Sequence, residues 1–460
     1  MRFLFATLQQ RESDFYGRVG QELAGRGHEV SHLTYSRRAA NVLRRRGIDA
    51  HCLPDLMKEP LPAPWRELEA QIDADYPISS LRDVYRTDPT FRRGDSPERC
   101  AERTVEQFVA VKRLLERLQP QLVVPEVGNE SMRTVVHVVG TAQGATTLFL
   151  MYTLFDDPLR LYAGTMDAPI VAPDELRPLS PDEEAELDDF MESFRRRNQP
   201  IRAHRKASLA LHRVNAAARH YAVKAIWDRD NVYLTPTAWL GRDLRARARV
   251  SLTRRIYSDD LPSAEFVYFP LQVSDDYKLI RLRPEWADQE AVVARLAGAL
   301  PPGMELVVKE HPMSIGRNSL DMLRRIADRP NARIMDPHTS SLDIIDSAAA
   351  VATISSSVGL EALMYGKPVL TLGRPFYSGY GVTVDATDAG EIPALMGEVL
   401  RFSPDRERSR RLLHAAMRRC YPGAPVLVDS TDENAARLAD TLDRAAGGEL
   451  SISRAVAGAG

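Results

Sequence analysis

The chain has only three cysteines, Cys52, Cys100 and Cys420, far apart and with no CxxC pair. This argues against a disulfide framework or a cysteine zinc site and favours a reducing cytoplasm. No apolar run reaches the roughly 18 residues of a membrane-spanning helix. The opening MRFLFATLQQ has one basic residue and too short an apolar stretch for a signal sequence, so it reads as a first strand. The net charge of −2 provides no overall field for nucleic acid. The arginine-rich part lacks interleaved aromatics and any recognised binding motif, so nucleic acid is not an expected partner. No fixed-period repeat is visible. No Asp-x-Asp pair sits at a predicted strand end in a setting that would hold Mg²⁺, so no metal is expected.

What is present is ordinary for a globular protein: 44% apolar and 27% charged residues. A chain of 460 residues is too long for one hydrophobic core, and two or three domains are expected. The first half alternates strand and helix. RFLFAT is a strand, FYGRVGQELAGRG a helix closed by Gly27, and HEVSHLTY a strand. Residues 54–96 are less regular. PERCAERTVEQFVAVKRLLERLQ is a long amphipathic helix, QLVVPEVG a buried strand and TTLFLMY another. A second alternating series starts near Ala264 and includes EFVYFPLQV, ELVVKEHP, ARIMD, AAVATIS and KPVLTLG as strands. Strands alternating with helices predict parallel, doubly wound sheets.

The middle of the chain differs. Asp174–Glu192 holds nine acidic residues and one basic; Arg195–Arg255 holds sixteen Lys or Arg against three Asp or Glu. SPDEEAEL marks a helix start, with Ser180 as N-cap, Pro181 in the first turn and acids near the positive dipole end. The basic part reads either as a solvated helical insertion or as an electropositive face for an anionic acceptor or a membrane surface. The expected organisation is residues 1–175, a connecting segment 176–262, a second α/β domain 263–425, and a helix with a flexible tail over 426–460.

Two strand ends carry the chemistry. In ATISSSVGLEALMYGKPVLTLG a strand ends at Ile354 and a helix starts near Val358. Ser355, Ser356 and Ser357 between them offer hydroxyls, free N–H groups and the positive helix end, which suits a phosphate. Glu361 lies one turn into that helix, placed to accept hydrogen bonds from ribose hydroxyls. In VVKEHP, Lys309 and His311 fall on one face of the strand end and Glu310 on the other, and Pro312 fixes the turn. His311 stands where α/β sheets bind ligands and could donate to a phosphate or act as an acid. The plainer readings are a serine N-cap and a structural histidine.

FPLQVSDDYKL, LVVKEHPMSIG and ISSSVGLEALMYGKPVLTLGRPFY resemble the capsule polysaccharide biosynthesis proteins, a family that includes Kdo transferases using CMP-Kdo and is related in plan to HP-motif sialyltransferases. The resemblance is close over residues 266–377 and looser before them. It implies a GT-B-like α/β fold: two Rossmann-like, doubly wound domains facing a cleft, with a helical basic insertion. It also implies a nucleotide-sugar donor, with no other cofactor. Donor contacts would fall on Gln272, Lys309, His311, Pro312, Ser355, Ser356, Ser357 and Glu361.

A transferase of this kind needs a base for the acceptor hydroxyl. The related sialyltransferases place it in an acidic pair followed by Gly. Here Glu126-Val127-Gly128 stands at that place, with the middle acid missing and Glu130 two residues beyond the glycine. Glu126 is the first choice and Glu130 the second; the plainer alternative is a carboxylate paired with an arginine such as Arg133. Asp157 and Arg160, after the next strand, are expected on the acceptor side or in a local ion pair. The expected function is transfer of a sugar, Kdo or another acidic sugar from a CMP donor, to a glycan or glycolipid of a capsule or surface polysaccharide. The expected location is the cytoplasm at the inner membrane face, with peripheral contact through the basic 195–255 segment. A non-hydrolysing sugar-nucleotide 2-epimerase and a non-catalytic capsule-assembly scaffold are the alternatives.

Overall fold

The computed structural model describes residues 1–172, 175–197, 211–235 and 252–454, with a few positions between 241 and 249. Part of the basic 195–255 segment through which membrane contact is expected, including residues 198–210 and 236–240, lies outside the described residues. Among the described residues no helix is long and apolar enough to cross a membrane. The chain divides into two compact units. The first comprises Met1–Ala168, Leu209–Thr237 and Arg419–Gly460; the second comprises Pro169–Ser208 and Ala238–Arg418.

The first unit is built on strands β1 (Arg2–Thr7), β2 (Glu29–Thr34), β3 (Asp49–Cys52), β4 (Leu122–Pro125), β5 (Thr146–Tyr152) and β6 (Leu159–Ala163). A late strand from the same unit, Ser453–Arg454, completes the sheet beside β6. The order is Ser453–Arg454, β6, β5, β4, β1, β2, β3, with β5 and β6 antiparallel and the other pairs parallel. The middle of β1, Phe3–Ala6, is apolar because both faces of the sheet are covered. Phe3 and Phe5 pack on one side with Phe15, Tyr16, Val19 and Leu23 of the helix Gln10–Gly25. Leu4 and Ala6 pack on the other with Val105, Phe108 and Val111 of the helix Pro97–Leu118.

The segment 426–460 is expected as a separate helix and flexible tail. Its helix, Asp432–Ala446, instead completes the Phe3 and Phe5 side of the first unit. Ala435, Leu438, Ala439 and Leu442 form its apolar stripe, and Arg18 and Arg26 pair with Asp432, Asp440 and Asp443 along its edge. Gly423 (φ 100°) lets the incoming chain approach this helix, since a Cβ there would lie 3.0 Å from the Leu438 backbone.

The loop-rich 54–96 region folds into short helices around buried Asp88. Asp88 accepts from the Thr90 N–H and hydroxyl with one oxygen, and from the Ser131 N–H and Tyr233 hydroxyl with the other. All the groups at this buried carboxylate are thus satisfied, as a buried charge requires.

The second unit contains β7 (Phe266–Pro270), β8 (Glu305–Lys309), β9 (Ala332–Met335), β10 (Ala350–Thr353), β11 (Val369–Thr371) and β12 (Val384–Asp385), all parallel, in the order β12, β11, β10, β7, β8, β9. This is the doubly wound order, in which successive strands run outward one way and then, from β10, the other. Its topological switch point lies between β7 and β10. In the first unit the corresponding point lies between β1 and β4. The acidic segment forms the helix Pro181–Arg197 as expected; Ser180 and Glu183 cap each other, the Ser180 hydroxyl accepting from the Glu183 N–H and the Glu183 carboxylate from the Ser180 N–H.

Close packing at the second switch point uses Gly359, in the first turn of the helix Ser357–Met364. A Cβ there would meet the buried Tyr377 ring and would lie 2.9 Å from the Thr353 methyl. Gly359→Ala is therefore expected to destabilise the protein by about 1–3 kcal/mol, the usual range for overpacking. Gly298→Ala, also helical but with open space around the new Cβ, should instead be neutral or stabilise by up to about 1 kcal/mol. Chemical denaturation of the two variants checks this; equal effects would mean that the Tyr377 contact does not constrain the helix.

Candidate functional site

At the switch point of the second unit, three strand ends converge. β7 delivers Gln272, whose backbone is clasped by the buried Gln289 side chain. The Gln272 N–H donates to Gln289 Oε1 (2.7 Å) and Gln289 Nε2 donates to the Gln272 carbonyl (3.1 Å). The Gln272 amide points at the serine turn. With its carbonyl inward, its oxygen accepts from the Ser355 N–H (2.7 Å), the Ser355 hydroxyl (3.0 Å) and the Ser356 N–H (3.1 Å). The opposite orientation would set an NH₂ against two N–H groups, so the inward carbonyl is the one the chemistry permits.

β10 delivers the turn itself. Ser356 is the N-cap, its hydroxyl accepting from the Val358 N–H (3.2 Å), while its own N–H also reaches Thr353 Oγ1 (3.2 Å). The exposed Ser357 hydroxyl donates to Glu361 Oε1 (2.9 Å). The Tyr377 hydroxyl donates to the Ser356 carbonyl (2.6 Å) and ties the turn to the chain after β11. From sequence, all three serines are expected to carry free N–H groups. In the structure those of Ser355 and Ser356 are engaged, because Gln272 fills the turn. Ser357, in the first helical position, has no acceptor within the helix for its N–H.

β8 delivers the Lys-Glu-His run. Lys309 was expected to face a donor. Its ammonium is instead buried, donating to the Thr339 carbonyl (2.6 Å) and the Ser341 hydroxyl (2.7 Å). Burial lowers its pKa to about 8, opposed by the nearby Glu361 and Asp336 carboxylates. It braces the next loop rather than presenting a free cation. Glu310 is buried on the other side, accepting from Tyr257 and from Asn318 Nδ2 (2.6 Å), and burial raises its pKa. His311 and Pro312 are exposed. His311 Nδ1 accepts from the Met313 N–H (3.1 Å), capping the turn Pro312–Ser314. That bond fixes the neutral tautomer with its proton on Nε2, and desolvation together with Lys309 holds the pKa below the ordinary histidine value. His311 thus offers a neutral N–H donor at the strand edge. Burial raises the pKa of Glu361, with Ser357 and Lys309 opposing.

The switch point of the first unit is acidic. Glu126 follows β4, and Glu12 lies in the first turn of the helix after β1. Glu126 is buried, accepts from the Tyr16 hydroxyl and the Val426 N–H, and has its pKa raised by desolvation. Glu130, with its side chain 20% exposed, pairs with Arg133 Nε (2.9 Å), and burial raises its pKa too. Arg133 Nη2 also pairs with Glu12 Oε1 (3.1 Å), while Glu12 Oε2 accepts from the Leu8 N–H (2.8 Å). Burial works against the Arg133 charge, but the carboxylates of Glu130, Glu12 and Glu126 outweigh it and keep the guanidinium protonated. Gly128 leaves room for this pair, because a Cβ there would strike the Glu130 carboxylate and displace it. Three carboxylates share one guanidinium, so a proton is held readily within the cluster.

Both base candidates are therefore brought together, and the expected Arg133 pairing is present as well. Glu12, Tyr16, Gln289 and Tyr377 were not singled out from sequence. Glu12 alone left a signal, an acid in the first turn after a strand. Arg160 does not reach an acceptor side. It is buried on β6, where it stacks on Tyr162 (4.2 Å to the ring centroid) and donates to the Ala168 carbonyl and Ser453 hydroxyl. Its place opposite Met151 in the antiparallel pair turns it under the late strand. Asp157 is exposed, on an open groove of about 650 Å³ shared with Asp156, Pro422, Arg437 and Asp440. Among the described residues no group of three or more His, Cys, Asp or Glu is placed to hold a metal.

The raised Glu126 pKa has a sign that can be tested. The folded state holds this proton more tightly than the unfolded chain does. The stabilisation this gives is fully present below about pH 4.3, the unfolded value, and is lost as pH rises through the folded pKa. Glu126→Gln keeps an acceptor for Tyr16 without the charge. It should raise the melting temperature at pH 7.5, with the gain shrinking towards pH 5. Destabilisation at pH 7.5 would show that the charged carboxylate is held by Arg133 as a structural ion.

The serine turn and the Lys-Glu-His run both lie in a stretch that is similar to known proteins. Residues 205–397 match the capsule polysaccharide biosynthesis protein family. Protein FixF of Sinorhizobium fredii (strain NBRC 101917 / NGR234) is 30% identical over 152 residues, 32% of this chain and 36% of that protein. The lipopolysaccharide-processing protein LpsZ of Rhizobium meliloti is 32% identical over 117 residues, 25% and 26% of the two chains. The matches thus span about a third or less of these curated relatives. Among solved structures, the Thermosulfurimonas dismutans KpsC beta Kdo 2,7 transferase is similar at 18% identity and a TM-score of 0.36, over 76% of this chain and 98% of that one. The stretch that matches the capsule polysaccharide biosynthesis protein family, residues 205–397, includes all six strands of the second unit and both of its motifs.

Proposed function

We propose that the protein is a glycosyltransferase of capsule or lipopolysaccharide biosynthesis that moves a sugar from a nucleotide-sugar donor to a glycan or glycolipid. A CMP donor carrying Kdo or another acidic sugar is the first choice. The observation that carries this reading is the switch point of the second unit, where a serine-rich helix start, an exposed neutral histidine donor and Glu361 converge on one strand edge. Doubly wound sheets bind nucleotides at such points, and a helix N-terminus suits their phosphate. The match of residues 205–397 to a family of polysaccharide biosynthesis supports the substrate class.

In this reading the donor phosphate lies against the Ser357 N–H and His311 Nε2–H, and Glu361 accepts from the ribose. Glu126 takes the part of base. The acceptor hydroxyl gives up its proton to Glu126, its oxygen bonds the anomeric carbon, and the bond from that carbon to the phosphate oxygen breaks. The nucleotide leaves with the electron pair. Burial keeps the proton affinity of Glu126 above that of an ordinary carboxylate, which suits proton abstraction. The negative charge of the departing phosphate is taken up by fixed donors rather than by a side chain that must first be desolvated.

His311→Asn tests the assignment, because Asn preserves an acceptor for the Met313 N–H but loses the Nε2 donor. CMP affinity, by calorimetry, should fall by about 0.5–1.5 kcal/mol. Transfer of labelled sugar from a CMP-sugar to a lipid-linked or oligosaccharide acceptor should fall at least as much. Unchanged affinity and transfer would remove His311 from the donor site. Conversion of a nucleotide sugar without any acceptor would favour the epimerase instead.

A further inference from the structure

The serine turn is already occupied by part of the protein. Three donors, the Ser355 N–H, the Ser355 hydroxyl and the Ser356 N–H, converge at 2.7–3.1 Å on one oxygen, the Gln272 side-chain carbonyl. Convergence of backbone N–H and hydroxyl donors on a single oxygen is how a protein holds a phosphate or carboxylate oxygen. Here a neutral amide supplies that oxygen. Its backbone cannot leave, because Gln289 clasps the Gln272 N–H and carbonyl from a helix in the core. Its side chain has no such restraint beyond the three bonds themselves.

We propose that the Gln272 amide is a displaceable stand-in for a phosphate oxygen of the nucleotide donor. Without donor, it satisfies the Ser355 N–H and hydroxyl and shares the Ser356 N–H with Thr353 Oγ1 at a partly buried edge. With donor, the amide rotates about its side-chain bonds and a phosphate oxygen takes its place. The exchange is downhill because hydrogen bonds to an anionic oxygen are roughly twice as strong as those to a neutral one. This rests on the donor-site reading above and assigns Gln272 a different part from that of a fixed donor contact. It also gives Gln289 a reason to be buried with its amide wholly committed to backbone: it keeps the stand-in within reach while leaving it free to swing.

Two substitutions separate the possibilities. Gln272→Ala removes the competitor and leaves the Gln289 clasp intact, since that clasp holds backbone atoms. CMP and inorganic pyrophosphate should each bind the variant about 2- to 10-fold more tightly, the fold-change for one modest net hydrogen bond no longer broken on binding. Gln272→Glu places a carboxylate on the same donors, with charge-assisted bonds, and should weaken CMP at least 10-fold. Thermal unfolding confirms that both variants are folded. Weaker or unchanged CMP binding by a folded Gln272→Ala overturns the stand-in and leaves the donor site standing. Failure of wild type and Gln272→Ala alike to bind CMP or UDP overturns the donor-site reading and the stand-in together.

Discussion

A strand in a parallel sheet must send its chain away at the carboxyl end to reach the start of the next strand. Where neighbouring strands send theirs to opposite faces, the connections part and the strand edge lies open. Both units of this protein contain such a point, between β1 and β4 and between β7 and β10. Every residue assigned a chemical role here, apart from those on β8 beside the second point, sits on a connection leaving one of those strands. The sheet thus fixes where chemistry can occur, and the residues at each edge decide which chemistry it is.

The two edges are electrostatically unlike. The first holds three carboxylates and one guanidinium in a largely buried cluster, in which burial raises the pKa of Glu126 and Glu130. The second is an edge of donors: serine hydroxyls, a helix start and a neutral imidazole N–H. One edge is suited to taking a proton from a hydroxyl, the other to holding an anion. The single lysine on the second edge is spent on backbone and hydroxyl partners, and its lowered pKa reflects the cost of that burial.

Much of this was legible in sequence because it is local. An apolar run ending abruptly in polar residues marked β4 and β8 with the residues beyond them, and the serines marked the helix start at Ser357. The capping pair Ser180 and Glu183 lies within one turn. What escaped was set by partners far away in the chain. Tyr16 reaches Glu126 across 110 residues, and Arg160 reaches Ser453 across 293. No local pattern shows that Arg160 lies in an antiparallel strand covered by the end of the chain, or that a helix after residue 431 completes a core begun at residue 3. Lys309 was misplaced for a related reason. Strand alternation gave its face, but not the loop at Thr339 and Ser341 that closes over it.

The central claim is that a nucleotide phosphate binds at the switch point of the second unit. Hydrogen–deuterium exchange with CMP or UDP at millimolar concentration reads this residue by residue. The account predicts slowed exchange at residues 311–314 and 355–360, with the edge around Glu12 and Glu126 unchanged. Nucleotide binding that leaves 311–314 and 355–360 unprotected, or that protects only the first unit, would contradict it.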